Sequence, residues 1–497
     1  MKRTVSSAWV ALPVAVLLAV TPACSRPAGT AAPVMENKAA REFAAELRGQ
    51  LTVDAMVGHL ARLQEIADRN GGTRAIGTPG YDASVDYVVD ILRGRGFDVQ
   101  TPEFQTRVFK SGDAVLTVGG ATVKANPLQY SAGTAGVSGP LVAAPPDDTP
   151  GCAPSDYDGL PVKGSVVLVD RGSCPFSQKE AIVAKLGAVA MVVADNVDEE
   201  KMGGTLGEDT DVKIPVVSVS KADGASLRAR PGPVTLRLDA STKTISARNV
   251  IAQTKTGSPH DVVMVGGHLD SVPEGPGIND NGSGVAAVLE TAVRLGDSPA
   301  VNNAVRFGFW GAEEVGIVGS KDYVASLDVE ELKDIALYLN FDMLGSPNPG
   351  YFTYDGDQST ALGSDERPPR VPEGSAGIER TFVDYLKSVG KTAEDTSFDG
   401  RSDYDGFTMA GIPAGGLFSG AEDEKSPSQA ELWGGEANVP FDPNYHKDTD
   451  TLAHVDRLAL GINGGGVAYS VGFYAQDLGG RNGIPAREDR TRHQIDE

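Results

Sequence analysis

The spacing of apolar residues changes along the chain and predicts different secondary structure in successive regions. In the first region apolar residues recur at helical intervals, with Thr52 or Asp54 near the cap. The residues that make up this helical stripe are Val53, Met56, Val57, Leu60, Leu63 and Ile66. A Gly-Thr-Pro-Gly turn at 77–80 follows, and the pattern after it predicts a second helix over residues 81–92.

Between about Leu116 and Leu238 the pattern becomes a series of short β-rich runs. Residues 165–169 and 215–219 are examples, and Gly, Pro and Asp separate the runs. One helix is predicted near residues 178–186. This region contains no histidine and no cluster of metal-ligand residues. We therefore interpret it as a separate β-rich domain inserted into the first one.

From about Ile245 onward, strands and helices alternate. An amphipathic helix is predicted over residues 284–295, and apolar strands are predicted over 262–265, 304–310, 335–339 and 414–418. Such alternation is typical of a mostly parallel sheet with helices on both faces. The predicted fold class is therefore α/β, with a mixed, mostly parallel sheet flanked by helices and an inserted β-rich domain.

These patterns divide the chain into five parts. Residues 1–24 form an export signal, and residues 25–35 form a Pro-containing linker. A discontinuous catalytic domain is predicted over 36–117 and 239–478, with the insert at 118–238. The charged residues 479–497 are predicted to form a flexible tail.

The export signal has a basic start, an apolar run at residues 9–20 and small residues before Cys24. The run is too short for a transmembrane helix, which needs about 20 apolar residues. Cys24 is a candidate lipid-attachment residue, although the residues before it match that signal poorly. A secreted protein and an extracellular lipoprotein anchored through Cys24 therefore both remain open.

The other two cysteines, Cys152 and Cys174, lie in the insert. In an exported protein such a pair is expected to form a disulfide, and two free buried thiols are the alternative. Closing a loop of about 20 residues stabilises a fold by about 3 kcal/mol in the chain-entropy view.

The formal net charge of −23 restricts the partners of the protein. A nucleic acid backbone and an anionic membrane surface would both be repelled. With 497 residues and 40% apolar residues, the chain is long and apolar enough for two or three globular domains. The composition is that of an acidic globular protein without a nucleic acid partner.

Ionisable residues follow several of the predicted strands. His268 and Asp270 follow the first strand, Glu313 and Glu314 the second, and Asp342 the third. The carboxyl ends of parallel strands meet at one edge of a sheet, where α/β proteins bind their ligands. Asp280 in a Gly-rich turn and the pair Tyr445-His446 complete the set of candidate site residues.

Imidazoles and carboxylates are typical zinc ligands, and two neighbouring zinc ions need a bridging carboxylate. The predicted ligands are His268, Asp280, Glu314, Asp342 and His446, with Asp280 as the bridge. Glu313 is the candidate general base, and Tyr445 is a candidate donor to the oxyanion. The Asp270 carboxylate is expected to accept a hydrogen bond from the second ring nitrogen of His268.

Each of these residues also has an ordinary structural interpretation. A histidine after a strand is usually structural, paired glutamates are usually solvated, and an aspartate after a strand often caps a helix. The hypothesis therefore depends on all five ligands falling at one edge of one α/β unit.

Seven segments together resemble the M28 family of metallo-aminopeptidases. The segments are 266–271, 277–284, 309–320, 340–346, 400–404, 415–421 and 445–447. The resemblance implies two zinc ions per chain, one held by His268 and Asp342, the other by Glu314 and His446, with Asp280 shared. It also implies the general-base role of Glu313, the oxyanion role of Tyr445, and a cis peptide bond after Asp280.

The same resemblance suggests how a substrate is held. It implies that Arg401 helps to place the region of the substrate's free amine and that Phe418 lines the pocket for the first side chain. We expect Met343 to belong to the same apolar wall. Peptides with a free N-terminus and a large apolar first residue such as Leu are therefore the expected substrates. Calcium binds to some family members, but no residue pattern in this sequence supports it.

The insert resembles a protease-associated (PA) domain. The segments that carry this resemblance are 171–176, Lys179, 184–188 and 192–196. PA domains in related peptidases can cover the mouth of the active site, and a spacer without a binding role is the alternative.

Three other functions remain as alternatives, and we expect a monomer in each case. A related zinc carboxypeptidase or deacylase would need several arginines, and only Arg401 lies near the site motifs. A glutaminyl cyclase has a similar fold but one zinc ion. A non-catalytic, receptor-like binder would have lost ligands, and all five are present here.

Overall fold

The computed structural model describes residues 38–198, 202–208, 210–360, 370–479 and 483–495. The predicted export signal with Cys24 and the linker at 25–35 lie outside the described residues. Within these ranges, none of the helices combines the length and the apolar character that crossing a membrane requires.

The helices of the described ranges include the four predicted ones, of which one begins at residue 53 and the others are those expected near 81–92, 178–186 and 284–295. They are α1 (Lys38–Gln50), α2 (Val53–Arg69), α3 (Pro79–Gly94), α4 (Phe176–Lys185), α5 (Lys221–Ala229), α6 (Gly284–Leu295), α7 (Val318–Ala325), α8 (Val329–Asp334), α9 (Ser375–Ser388), α10 (Tyr404–Met409), α11 (Pro427–Trp433) and α12 (Arg457–Gln476). Helix α2 begins after Thr52, whose side chain accepts a hydrogen bond from the amide of Ala55.

The strands fall into two sheets of eight strands each. They are β1 (Asp98–Gln100), β2 (Glu103–Val118), β3 (Ala121–Val123), β4 (Asn126–Pro127), β5 (Thr134–Ala143), β6 (Val166–Asp170), β7 (Ala190–Ala194), β8 (Val216–Val219), β9 (Pro233–Arg248), β10 (Val250–Gln253), β11 (Ser258–His268), β12 (Asn303–Trp310), β13 (Ile335–Phe341), β14 (Phe352–Tyr354), β15 (Glu394–Thr396) and β16 (Ala414–Phe418).

The first sheet has the order β1-β10-β12-β11-β13-β16-β14-β15. Its four central strands, β12, β11, β13 and β16, are parallel, and antiparallel pairs join them to the outer strands. Gly266 of β11 lies opposite Gly308 of β12 and Asn340 of β13. This register brings the carboxyl ends of three strands to the same edge and confirms the predicted α/β architecture.

Both faces of this sheet are covered by helices. Val265 and Leu339 pack in a core together with residues of α6 and α12, whereas Met264 and Tyr338 pack on the other face. On that second face Tyr338 stacks on Phe407 of α10, with 3.8 Å between ring centroids. Burial on both faces explains why these strands are continuous apolar runs rather than alternating ones.

The second sheet has the order β3-β2-β9-β5-β6-β7-β8-β4 and forms the core of the insert. Strands β5 to β8 are parallel, α4 lies between β6 and β7 along the chain, and α5 follows β8. The long strands β2 and β9 pair antiparallel from Glu103–Arg248 to Val118–Val234. The predicted bounds at 118 and 238 therefore divide this sheet, because part of the pairing between β2 and β9 lies outside them.

The predicted disulfide is present. Cys152 and Cys174 are bonded across a sequence separation of 22 residues. The bond links the loop after β5 to the loop before α4, so it constrains one end of the insert.

Residues 483–495 differ from the predicted flexible tail, because they pack against the first sheet. Arg490 is 3% exposed and donates to the carbonyl oxygens of His260 and Lys333. Arg492 is 8% exposed and donates to the carbonyl oxygens of Gly411 and Ile335. These bonds hold the segment against the amino ends of β11 and β13, opposite the edge with the candidate site.

Candidate metal centre

The structure brings the five predicted ligands to one edge of the first sheet. His268 is the last residue of β11, and Glu314 and Asp342 follow the ends of β12 and β13. Asp280 lies in a helical turn at 278–283 that leads into α6, and His446 lies in a long loop before α12. The peptide bond after Asp280 is cis, as the family resemblance predicts.

The ligands form two groups of three that share Asp280. His268 Nε2 lies 3.2 Å from Asp280 Oδ1 and 3.3 Å from Asp342 Oδ1. His446 Nε2 lies 3.2 Å from Asp280 Oδ2 and 3.0 Å from Glu314 Oε2. Asp280 therefore directs one oxygen to each group, which is the geometry of a bridging carboxylate.

Hydrogen bonding alone does not account for these contacts. Each Nε2 faces two carboxylate oxygens, and an imidazole nitrogen carries at most one hydrogen. Asp342 Oδ1 and Glu314 Oε1 are buried and make no hydrogen bond within the described residues. A cation beside His268 would satisfy Asp342 Oδ1, and ligands of a tetrahedral zinc ion lie about 3.3–3.4 Å apart, close to the spacing in both groups. The donor set therefore fits a zinc-like cation in each group.

The electrostatics of the site indicate an excess of carboxylate. Burial raises the pKa of Glu313 well above its usual range, and burial together with the Asp280 charge raises the pKa of Glu314 to about 7. Burial would lower the pKa of His446, but its hydrogen bonds with Asp280 and Glu314 raise that pKa to about 10. Carboxylates thus outnumber imidazoles among these buried side chains, an imbalance that a divalent cation would offset.

The Asp270 carboxylate makes a different contact from the predicted one. His268 Nδ1 lies 3.1 Å from the backbone carbonyl oxygen of Asp270, and the carboxylate oxygen is 3.8 Å away. The carboxylate instead accepts the amides of Glu313 and Glu314, at 3.2 and 3.4 Å. These amides lie beyond the end of β12, where the strand ladder no longer supplies acceptors. Asp270 therefore holds the Glu313–Glu314 loop, while its carbonyl accepts from the ring and leaves Nε2 free for a cation.

Two further residues support the ligands and were not predicted. The Asp450 carboxylate accepts the amides of Asn279 and Asp280, at 2.8 and 3.0 Å. The Ser402 hydroxyl donates to Asp342 Oδ2 at 2.7 Å. Ser402 lies in segment 400–404, one of those that carry the family resemblance, so this segment could have pointed to it. Asp450 lies outside all of these segments.

The candidate substrate-binding residues lie beside His446. The Tyr445 ring stacks on the His446 ring with 3.8 Å between centroids, and its hydroxyl lies 3.4 Å from Arg401 Nη2. The same guanidinium nitrogen donates to Glu422 Oε1 at 2.8 Å. The charged end of Arg401 is thus held beside Tyr445, at an exposed position of the site.

The two predicted pocket residues differ in accessibility. Phe418 ends β16, is half-buried and packs against Phe352, with 6.0 Å between ring centroids. Met343 is only 3% exposed, because its backbone bonds to Asn281 and Ser419 turn it into the core. The structure therefore does not support the predicted contact of Met343 with a substrate.

The insert contacts the loop that carries Glu313. The Tyr130 hydroxyl donates to the carbonyl oxygen of Val315 at 3.3 Å. Gly316 adopts φ +129°, and an added Cβ there would lie 2.8 Å from a carboxylate oxygen of Glu208. The insert thus packs directly beside the candidate general base.

A third acidic group, Asp355, Asp357 and Glu379, lies apart from these two. Its Asp355 oxygens accept the amides of Ser359 and Thr360, and Glu379 accepts the amide of Asp357. Backbone amides thus bind both oxygens of Asp355 and one oxygen of Glu379, so this group is held by local turns of the chain.

Two family profiles match the chain. The profile described as Peptidase family M28 matches residues 249–471, which contain all five predicted ligands. The profile described as PA domain matches residues 137–227, which lie in the insert.

Curated relatives match nearly the whole chain. One is "Probable lipoprotein aminopeptidase LpqL" of Mycobacterium tuberculosis, 69% identical over 487 residues and covering 97% of each chain. The "Aminopeptidase" of Pseudomonas aeruginosa is 40% identical over 84% of this chain and 80% of that protein. The "probable leucine aminopeptidase 2" of Aspergillus oryzae is 41% identical over 83% of this chain and 82% of that protein.

Solved structures share the fold. An aminopeptidase from Aneurinibacillus sp. strain AM-1 is 25% identical, with a TM-score of 0.70 over 89% of this chain and 98% of that one. The zinc aminopeptidase BSAP from Bacillus subtilis is 25% identical, with a TM-score of 0.62 over 87% of this chain and 98% of that one.

Proposed function

Since this chain belongs to peptidase family M28, we propose that it is a zinc-dependent aminopeptidase, which hydrolyses the N-terminal residue from peptides. The observation that carries the proposal is the shared carboxylate of Asp280, with one oxygen in each of two His–carboxylate groups. The relatives named aminopeptidases, and the structural neighbour named a zinc aminopeptidase, support the same activity.

The arrangement supports two zinc ions per chain. His268 and Asp342 would hold one ion, Glu314 and His446 the other, and Asp280 both. When bound, zinc polarises the substrate carbonyl and lowers the pKa of water. Two complete groups favour this function over a glutaminyl cyclase with one ion or a binder that has lost its ligands.

Glu313 is the proposed general base. Its carboxylate lies at the same edge, with Oε2 4.0 Å from His268 Nε2, and its side chain is 10% exposed. In this role it takes a proton from the attacking water and returns it to the leaving amine nitrogen. Burial raises the pKa of Glu313, which favours holding the proton between the two transfers.

Tyr445 and Arg401 are the proposed contacts to the substrate backbone. The Tyr445 hydroxyl donates to the oxygen on which negative charge develops, and its stacking on His446 keeps it beside the ligands. Arg401, held by Glu422, lies next to that hydroxyl and helps to orient the substrate.

The half-buried ring of Phe418 supports a preference for a large apolar first residue. Rates on aminoacyl-p-nitroanilides would measure this preference. We expect Leu, Phe or Met to be released fastest, because apolar area is buried against the ring. Fastest release from Lys or Glu would contradict this part of the proposal.

The activity itself is tested with Leu-p-nitroanilide before and after chelation. We expect chelation to abolish release and zinc to restore it, while N-acetyl-Leu-p-nitroanilide stays uncleaved because it lacks the free amine. Retained activity after complete metal removal, or equal cleavage of the acetylated substrate, would contradict a zinc aminopeptidase.

We further propose that the chain is exported and acts as a monomer. The relative named a lipoprotein aminopeptidase supports attachment of a lipid at Cys24. Cell fractionation should then find the wild type in the membrane fraction and a Cys24→Ala variant outside it. Wild-type protein found only in the medium would support simple secretion instead, and light scattering would give the number of chains.

A further inference from the structure

Arg74 is a fully buried arginine that lies between the two segments carrying His268 and Asp280. It follows α2 and precedes the turn into α3, and its exposed fraction is 0%. No local sequence pattern marks Arg74, because it lies in a Gly-rich connection about 200 residues from these ligands.

Every nitrogen of the Arg74 guanidinium donates to a backbone carbonyl of these segments. Nη1 donates to the carbonyl of Leu269, the residue between His268 and Asp270. Nε and Nη2 donate to the carbonyls of Pro276 and Gly277, at 2.8 and 2.5 Å. The planar group thus joins the end of β11 to the start of the turn that contains Asp280.

The surrounding backbone is shaped around this contact. Gly277 adopts φ +62°, and an added Cβ there would lie 2.4 Å from Ser271 Cβ and 3.1 Å from Arg74 Nη2. The backbone amide of Arg74 donates to Ser271 Oγ at 3.0 Å, which in turn donates to the Gly275 carbonyl at 3.0 Å. The backbone and the side chain of Arg74 are therefore both hydrogen-bonded to the same short segment, 269–277.

Arg74 also supplies a positive charge beside an acidic site. Burial lowers its pKa only to about 10, and the charges of Asp270, Asp450 and Asp280 oppose that lowering. The guanidinium therefore stays cationic at neutral pH. It offsets part of the carboxylate excess without occupying a ligand oxygen.

We propose that Arg74 is a positioning residue for the metal centre, whose guanidinium fixes the spacing between His268 and the Asp280 turn. The inference rests on the proposed zinc function. It goes beyond that function by assigning the preorganisation of the site to a residue that contacts neither metal nor substrate. A lysine cannot reproduce the contact, because its ammonium cannot bridge three carbonyls in one plane.

The chain offers a matched control in Arg492. This residue is also buried, also donates to backbone carbonyls, and its pKa is also lowered by burial to about 10. It lies at the amino end of β13, opposite the ligands. Arg492→Lys therefore reports the cost of replacing a buried arginine away from the metal centre.

The test compares zinc affinity, by competition with a chromophoric chelator, in Arg74→Lys, Arg492→Lys and the wild type. We expect Arg74→Lys to bind zinc about 10–100-fold more weakly, as for loss of other groups that orient ligands. We expect Arg492→Lys to keep the wild-type affinity, even though both variants melt at lower temperature. Unchanged affinity in Arg74→Lys, or an equal loss in Arg492→Lys, would overturn the inference.

If Arg74→Lys does not fold, Ser271→Ala decides the question. It removes the hydroxyl that accepts from the Arg74 amide and donates to the Gly275 carbonyl, and it leaves the guanidinium in place. We therefore expect zinc affinity to fall by a smaller factor, about 3–10-fold. Wild-type affinity in Ser271→Ala would then overturn the inference. A wild type that binds no zinc would instead contradict the proposed function itself, which keeps the two failures distinct.

Discussion

The two sheets of this protein place acidic residues at the same kind of edge but pair them differently. In the insert, Asp170 ends β6 and Asp195 follows β7, next to a cavity of about 590 Å³. Asp170 pairs with Arg228 at 2.7 Å, and Asp195 with Arg171 at 3.1 Å. At the edge of the first sheet, none of the five candidate ligands forms an ion pair with a lysine or arginine in the described part of the chain.

We infer from this difference that position at a strand end is not sufficient for a metal site. A guanidinium beside a carboxylate neutralises it and occupies its oxygens, so no donor remains for a cation. An imidazole brings no permanent charge and offers a nitrogen ligand instead. We therefore expect a sheet edge with guanidinium partners to form ion pairs, and an edge with imidazole partners to bind metal.

The largest effect is expected for Asp280→Asn, because this one change weakens both groups. We expect loss of most bound metal and a fall in activity of about 10³-fold or more, since several kcal/mol of transition-state stabilisation disappear. Metal analysis and Leu-p-nitroanilide rates measure the two effects. Asp170→Asn, at the edge of the insert, should leave both unchanged, and equal losses in the two variants would refute the distinction between the edges.

Glu313→Gln should give the next largest effect. It keeps the size of the side chain but removes the proton acceptor, so we expect kcat to fall about 10²–10⁴-fold while zinc content stays normal. The control is Glu180→Gln in the insert, a buried carboxylate that accepts the amides of Lys213 and Ile214. A rate for Glu313→Gln within tenfold of the wild type would exclude the general-base role.

Asp270→Asn tests the support of the Glu313–Glu314 loop. We expect zinc affinity about 10–100-fold weaker, because an amide cannot accept both backbone hydrogens as a carboxylate does. Asp195 serves as the comparison in the insert, since one oxygen of its buried carboxylate accepts the amides of Asn196 and Val197. Asp195→Asn should leave zinc affinity unchanged, whereas a similar loss in both variants would point to a general effect of buried aspartates.

The smallest effect is expected for Arg228→Gln, which breaks the pair with Asp170. Both side chains are 21–25% exposed, so solvent screens the pair and we expect the free energy of unfolding to fall by about 1 kcal/mol. Denaturant unfolding measures this loss, and zinc affinity should not change. A large loss of zinc affinity would show that the two edges are coupled.

The sequence predicts those parts of the site that depend on local patterns. His268, Glu314 and Asp342 follow buried strands, whose continuous apolar runs are visible without a structure. The bridging role of Asp280 needs the Gly-rich turn and the family resemblance in addition. The strand ends and the Gly-rich turn are local features, so a single sequence is enough to predict them.

The remaining features depend on packing between distant segments. Arg74 reaches carbonyls about 200 residues away, and the Asp270 carboxylate turns to amides more than 40 residues away. The charged composition around Arg490 and Arg492 predicts a flexible tail. Their hydrogen bonds to backbone carbonyls leave no apolar pattern in the sequence from which packing could be predicted. The bounds of the insert at 118 and 238 stay a prediction, and the long-range pairing of β2 with β9 reaches into the ranges predicted for the catalytic domain.

We propose that two cations share the Asp280 carboxylate, and anomalous diffraction at the zinc absorption edge would locate them. We expect from this proposal two peaks about 3.5–4 Å apart. One should lie among His268, Asp280 and Asp342, and the other among Asp280, Glu314 and His446. A zinc-loaded crystal with a single peak, or with none between these side chains, would contradict it.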